Sequence, residues 1–106
     1  MSVRILELPP PLFIALNSIE GESLRQKLAC LLAGQLRQNL EACERDALDL
    51  EIKYGLNYEE FQARLEAGEL GDEFAYDLER DAMRWSDLRA EKQHWLKLLH
   101  SVKKLI

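Results

Sequence analysis

Apolar residues recur at intervals of three and four along two long stretches of this chain. The first runs Leu24, Leu28, Leu31/Leu32, Leu36, Leu40, Cys43, Ala47, Leu50 and Tyr54. Such a stripe predicts an amphipathic helix over residues 24–54, about 45 Å long at 1.5 Å per residue. Gly34 interrupts it, either as a weak point costing ~1 kcal/mol relative to alanine or as a place for another helix to approach closely. The second stripe runs Phe74, Leu78, Asp81, Trp85, Leu88, Lys92, Trp95, Leu99, Val102 and Ile106. Its alternation of four and three predicts a helix with a heptad-like seam, N-capped by Asp72 and running to about Leu105. Asp81 and Lys92 are polar within that seam, where such residues lower stability but set register or partner.

Between the stripes, Gly55-Leu56-Asn57-Tyr58-Glu59-Glu60-Phe61 has the devices that end one helix and begin another. Glycine fits the left-handed residue that closes a helix. Asn57 is a good N-cap, and Glu60 three residues later completes a capping box. Leu56 and Phe61 have the spacing of a hydrophobic staple. A short helix over residues 57–67 follows, closed by Gly68. Upstream, residues 3–8 alternate as a short strand would, and Pro9-Pro10-Pro11 ends it while suiting a helix first turn. Leu12, Phe13, Leu16 and Ile19 give one short helical stripe. A Glu20-Gly21-Glu22 turn then leads to Ser23 as N-cap. The expected fold is mainly α: short N-terminal strand, short helix, long helix, short helix, long C-terminal helix.

The chain has 106 residues, 47% hydrophobic and 31% charged, which suits one small globular domain. Its net charge of −5 disfavours nucleic acid as partner of the isolated chain and suits a basic protein surface. No apolar run is long enough to span a membrane, and no basic stretch precedes an apolar core as in a signal peptide. Cys30 and Cys43, 13 residues apart on one helix, would lie ~20 Å from each other, too far for a disulfide. They read as reduced thiols of a cytoplasmic protein. No phosphate loop, Cys-x-x-Cys or nucleophilic triad is present. Glu91-Lys92-Gln93-His94 matches the Glu-x-x-His unit of di-metal bundles, but such sites need two units and two further glutamates. No catalytic residue, metal or cofactor is therefore expected. Trp85 and Trp95 suit a core, or, with Tyr76, a partner-binding face.

Lys53-Tyr54-Gly55-Leu56, Glu59-Glu60-Phe61, Glu66-Ala67-Gly68-Glu69-Leu70 and the acidic residues leading to Trp85 together resemble small prokaryotic antitoxins of type II toxin–antitoxin pairs. The likeness covers about half of the chain, residues 53–99. It implies a non-enzymatic antitoxin that wraps and blocks a small, ribonuclease-like toxin. The N-terminal order of strand, proline, short helix, turn and long helix resembles a ribbon–helix–helix module, a dimeric DNA-binding head. In that fold Val3, Ile5 and Glu7 would face DNA, where donors are needed. Dimerisation thus carries over better than DNA reading. The division expected is a dimerisation region at 1–55 and a helical partner-binding region at 56–106. Partner contacts are expected at Tyr58, Phe61, Glu66, Glu69, Tyr76, Asp77, Trp85 and Leu88, and homodimer contacts at Leu6, Leu8, Leu28, Leu32, Gly34 and Leu36. The competing expectation is a self-associating helical scaffold or adaptor.

Overall fold

A computed structural model describes residues 8–106, and these form four α-helices: α1 (Pro10–Leu16), α2 (Leu24–Tyr54), α3 (Tyr58–Ala67) and α4 (Leu78–Lys103). The mainly helical expectation is met. The N-terminal strand expected at residues 3–8, and Leu6 with it, lies almost wholly outside the described residues. α1 starts on prolines, which lack the N–H that a first turn leaves unpaired. The Ser23 hydroxyl accepts from the Gln26 N–H at 3.2 Å and caps α2. α2 then runs 31 residues without a break, through Gly34.

The α2–α3 corner forms by the devices its sequence carries. Gly55 closes α2 at φ +66° and donates its N–H to the Glu51 carbonyl at 2.7 Å. The Asn57 side chain accepts from the Glu60 N–H at 2.8 Å, and the Glu60 carboxylate accepts from the Asn57 N–H at 3.4 Å. Gly68 closes α3 in the same left-handed conformation as Gly55.

The beginning of the last helix departs from expectation. Asp72 does not cap α4; residues Asp72–Phe74 make a single 3₁₀ turn, and α4 begins only at Leu78. The turn brings the Phe74 ring to 4.8 Å from that of Tyr54, a contact that packs the connection onto α2.

α2 and α4 pack antiparallel. Lys53 meets Asp77 and Asp81, Asp46 meets Arg84, Glu44 meets Lys92, and Leu36 packs near Leu99. Two core clusters lie along this pair. The larger sits at the corner and gathers Cys43, Leu50, Phe61, Trp85 and Leu88, with Tyr54, Leu56 and Tyr58 against it. The smaller holds Ala33, Leu36 and Leu99, and Trp95 packs against both clusters. The predicted α4 seam is buried or half-buried from Phe74 to Val102, whereas Ile106 is exposed.

On α2 the stripe splits. Ala29 and Ala33 are buried, while Leu31 and Leu32 stay exposed. Ala33, packed in the smaller cluster with Leu99, takes the close-approach role that was one alternative for Gly34. A Cβ at Gly34 would meet nothing within 4 Å.

These two glycines predict opposite outcomes. Gly34→Ala should stabilise by about 0.5–1 kcal/mol, because alanine suits a helix interior and the space is open. Gly55→Ala should destabilise by about 1 kcal/mol, because φ +66° strains any residue with a Cβ. Urea unfolding of both variants checks the pair of signs.

The principal extents are 59 × 30 × 20 Å and the radius of gyration is 20.3 Å. A compact domain of this length would have a radius near ~13 Å. Among the described residues, elongation leaves one end poorly covered. Around α1, Leu12, Phe13, Ile14, Leu31 and Leu32 are all exposed.

Candidate functional site

Charge is sorted along the long axis. Residues 23–40 and 92–106 pair side by side in the antiparallel hairpin, and together they hold seven Lys/Arg and no Asp or Glu. Residues 41–91, which build the corner end, hold sixteen Asp/Glu against six Lys/Arg. Residues 1–22 add one Arg and three Glu, so the net charge of −5 sums a basic stretch of the hairpin, a strongly acidic corner and a mildly acidic N-terminal segment. Counting net charge over the whole chain conceals this. Counting it by segment and pairing the segments as a hairpin would have exposed it.

At the acidic end the expected partner contacts separate into two sets. Glu66, Glu69 and Tyr76 are exposed, Tyr76 completely so at 101%. Tyr58 and Asp77 are half-buried. Phe61, Trp85 and Leu88 are at most 2% exposed and present no surface to a partner. Their apolar spacing served the core: the Trp85 ring lies 4.9 Å from that of Phe61 and 5.7 Å from that of Tyr58. Of the expected dimer contacts, Leu32 is exposed, Leu8, Leu28 and Gly34 are half-buried, and Leu36 is buried in the smaller cluster. Leu36 is thus a core residue facing α4. Leu8 and Leu28 line an apolar cleft of about 310 Å³ between α1 and α2, together with Leu12, Leu16, Ile19 and Leu31.

One polar cluster ties the two long helices beside the corner. Asp81 is buried, and its Oδ2 accepts from Lys53 Nζ and from the Tyr54 hydroxyl, each at 2.6 Å. Lys53 also donates to Asp77 at 2.9 Å. Burial alone would push the Asp81 carboxyl up; the hydrogen bonds from Lys53 and Tyr54 outweigh it and hold the carboxyl below its usual range. Burial, then the bond to Asp81, pushes the Tyr54 phenol up to about 12. Asp81 and Asp77 hold the Lys53 ammonium well above the usual lysine value. Every polar group here is matched by a fixed opposite, which makes the cluster a fastener between α2 and α4. Lys53 and Tyr54, the last residues of α2 before the Gly55 corner, act in it.

Glu91 takes part in a different contact: its Oε2 accepts from the Cys43 thiol at 3.3 Å. His94 lies beside Trp95, with ring centroids 4.9 Å apart. Among the described residues no group of three or more His, Cys, Asp or Glu side chains is gathered as metal ligands would be. Burial, then the adjacent Glu91 carboxylate, raises the Cys43 thiol above its ordinary value. Cys43 should therefore resist alkylation at neutral pH, while the half-buried Cys30 reacts first. Mass spectrometry of partly labelled protein reads the order; equal labelling at both sites would contradict it.

Among the described residues no helix is long and apolar enough to cross a membrane. No protein-family model, curated protein sequence or solved structure matches the chain.

Proposed function

We propose that this chain is a non-enzymatic antitoxin that binds and neutralises a small, basic, ribonuclease-like toxin in the cytoplasm of a prokaryote. The observation that carries the reading is the concentration of carboxylates at the corner end, where residues 41–91 have a large negative excess. An acidic inhibitor surface draws a basic target at raised association rate and orients it during approach. Tyr58, Glu66, Glu69, Tyr76 and Asp77 supply accessible side chains there. The antitoxin-like words of the sequence fall on the same end. The partner-binding region is then residues 56–106 joined by the second half of α2. Residues 1–55 dimerise through the apolar cleft of α1 and α2.

The basic open end also favours a contact that total charge argued against. Arg25, Lys27, Arg37, Lys97, Lys103 and Lys104 lie where a dimer would form and could meet the phosphates of the gene's own promoter. A gel shift with and without toxin reads this, and no binding in either case removes the DNA role.

For the antitoxin itself the test is co-expression. An adjacent gene is expected to encode a small basic protein that is toxic alone and is captured as a complex by this chain. No such neighbour, or no complex, sinks the reading. The apolar cleft between α1 and α2 favours the alternative, a self-associating scaffold or adaptor. That reading expects a stable homo-oligomer by light scattering and no toxic neighbour.

A further inference from the structure

At the acidic end, α2, α3 and α4 enclose a cleft of about 330 Å³. Its α2 wall includes Glu44, Leu48 and Glu51, spaced four and three so that they share one helix face. Leu48 is half exposed and provides an apolar step between the two carboxylates. The opposite walls carry Tyr58 and Glu59 from α3, and Arg89 and Lys92 from α4.

The charges of this cleft leave a remainder of one. Arg89 is paired with Glu59 at 3.2 Å, and its guanidinium lies 4.4 Å from the Tyr58 ring centroid. Lys92 is paired with Glu44 at 3.7 Å. Among the described residues Glu51, which lines the cleft, has no ion-pair partner.

We propose that this cleft takes one long cationic side chain, an arginine or lysine presented by a basic protein partner. The methylene stem would lie on Leu48 and the charged head would pair with Glu51. Long cationic side chains bury apolar stems while keeping their heads at carboxylates and water, and this cleft offers both surfaces at that spacing. An anionic side chain would meet an unmatched carboxylate, and a purely apolar one would strand Glu51 without a counter-charge. The proposal rests on the reading that the partner is a basic protein. It goes beyond that reading in fixing where the partner's cation enters and what receives it.

The first test needs no toxin. The full ¹⁵N-labelled chain is titrated with N-acetyl-arginine amide, and with N-acetyl-norleucine amide as the uncharged control. Saturable shifts are expected at the amides of Leu48, Glu51 and Tyr58 with the arginine probe alone. Glu51→Gln should weaken its binding roughly three-fold, as befits one exposed ion pair. Shifts spread evenly over Glu66, Glu69 and Glu79, or affinity unchanged in Glu51→Gln, overturn the proposal.

The second arm uses the co-expressed neighbour protein. Glu51→Lys lies in the last turns of α2, where a cation suits the helix dipole, so the variant should fold. It is expected to lose most of the captured partner. Undiminished capture overturns the cleft while leaving the antitoxin reading intact. Absence of capture by the unaltered chain instead counts against that reading, and the arginine titration then decides the cleft by itself.

Discussion

Replacing Trp85 by alanine should cost about 3–5 kcal/mol, the range for removing a large aromatic side chain from a core. The residue is 2% exposed and is touched by three rings: Phe61 at 4.9 Å, Tyr58 at 5.7 Å and Tyr54 at 6.4 Å between centroids. For a domain stabilised by ~5–15 kcal/mol in total, this loss removes a large share. Trp85→Phe, which keeps a ring against Phe61, should lose much less. Urea unfolding followed by far-UV circular dichroism gives both values. A loss under about 1 kcal/mol for Trp85→Ala would return Trp85 to the surface role that its aromatic character suggests.

Asp81→Ala should cost about 2–3 kcal/mol. Breaking a buried pair by deleting one partner usually costs ~3–5 kcal/mol, since the other charge is stranded. Here Lys53 remains a third exposed and keeps Asp77 at 2.9 Å, which moves the expectation below that range. The Tyr54 hydroxyl loses its acceptor, and that adds to the cost. Asp81→Asn retains an acceptor for Tyr54 and should be milder.

The same cluster sets two pH limits. The Asp81 carboxyl lies below its usual range in the fold, so its stabilising contribution is complete above the unfolded value. That contribution is lost as pH falls through the folded one, hence below about pH 4. The Tyr54 phenol is raised, so the unfolded chain gives up that proton first. Stability should decline as pH rises from about 10 to about 12. In Tyr54→Phe the alkaline decline should shrink, and in Asp81→Asn the acid limb should flatten.

The corner was legible in the sequence because its devices are local. Gly55, Asn57 and Glu60 act within four residues of themselves, so spacing and residue type suffice. The α4 seam was legible for a related reason, as one stripe facing one partner helix. The α2 stripe was only half legible, because α2 serves two neighbours: Leu28 and Leu31 line the cleft shared with α1, while Ala33 and Leu36 lie toward α4. Small residues carry little weight in a hydrophobic pattern, yet Ala33 is the more buried. The start of α4 was misplaced because Asp72 is a fair N-cap by type, and the contact of Phe74 with Tyr54 is tertiary. Trp85, Phe61 and Leu88 show the limit for site residues. A buried aromatic and a binding aromatic look alike until something covers one of them.

Both tryptophans of the chain belong to the corner cluster or to its junction with the smaller one. Indole emission is consequently a partial witness. It reports on the corner through Trp85 and on the joint through Trp95, and it is blind to α1 and the first turns of α2. Loosening of the open end would appear in circular dichroism and leave the emission almost untouched. Two melting curves that fail to coincide would thus map position along the rod, the partly loosened state being the one that the emission does not see.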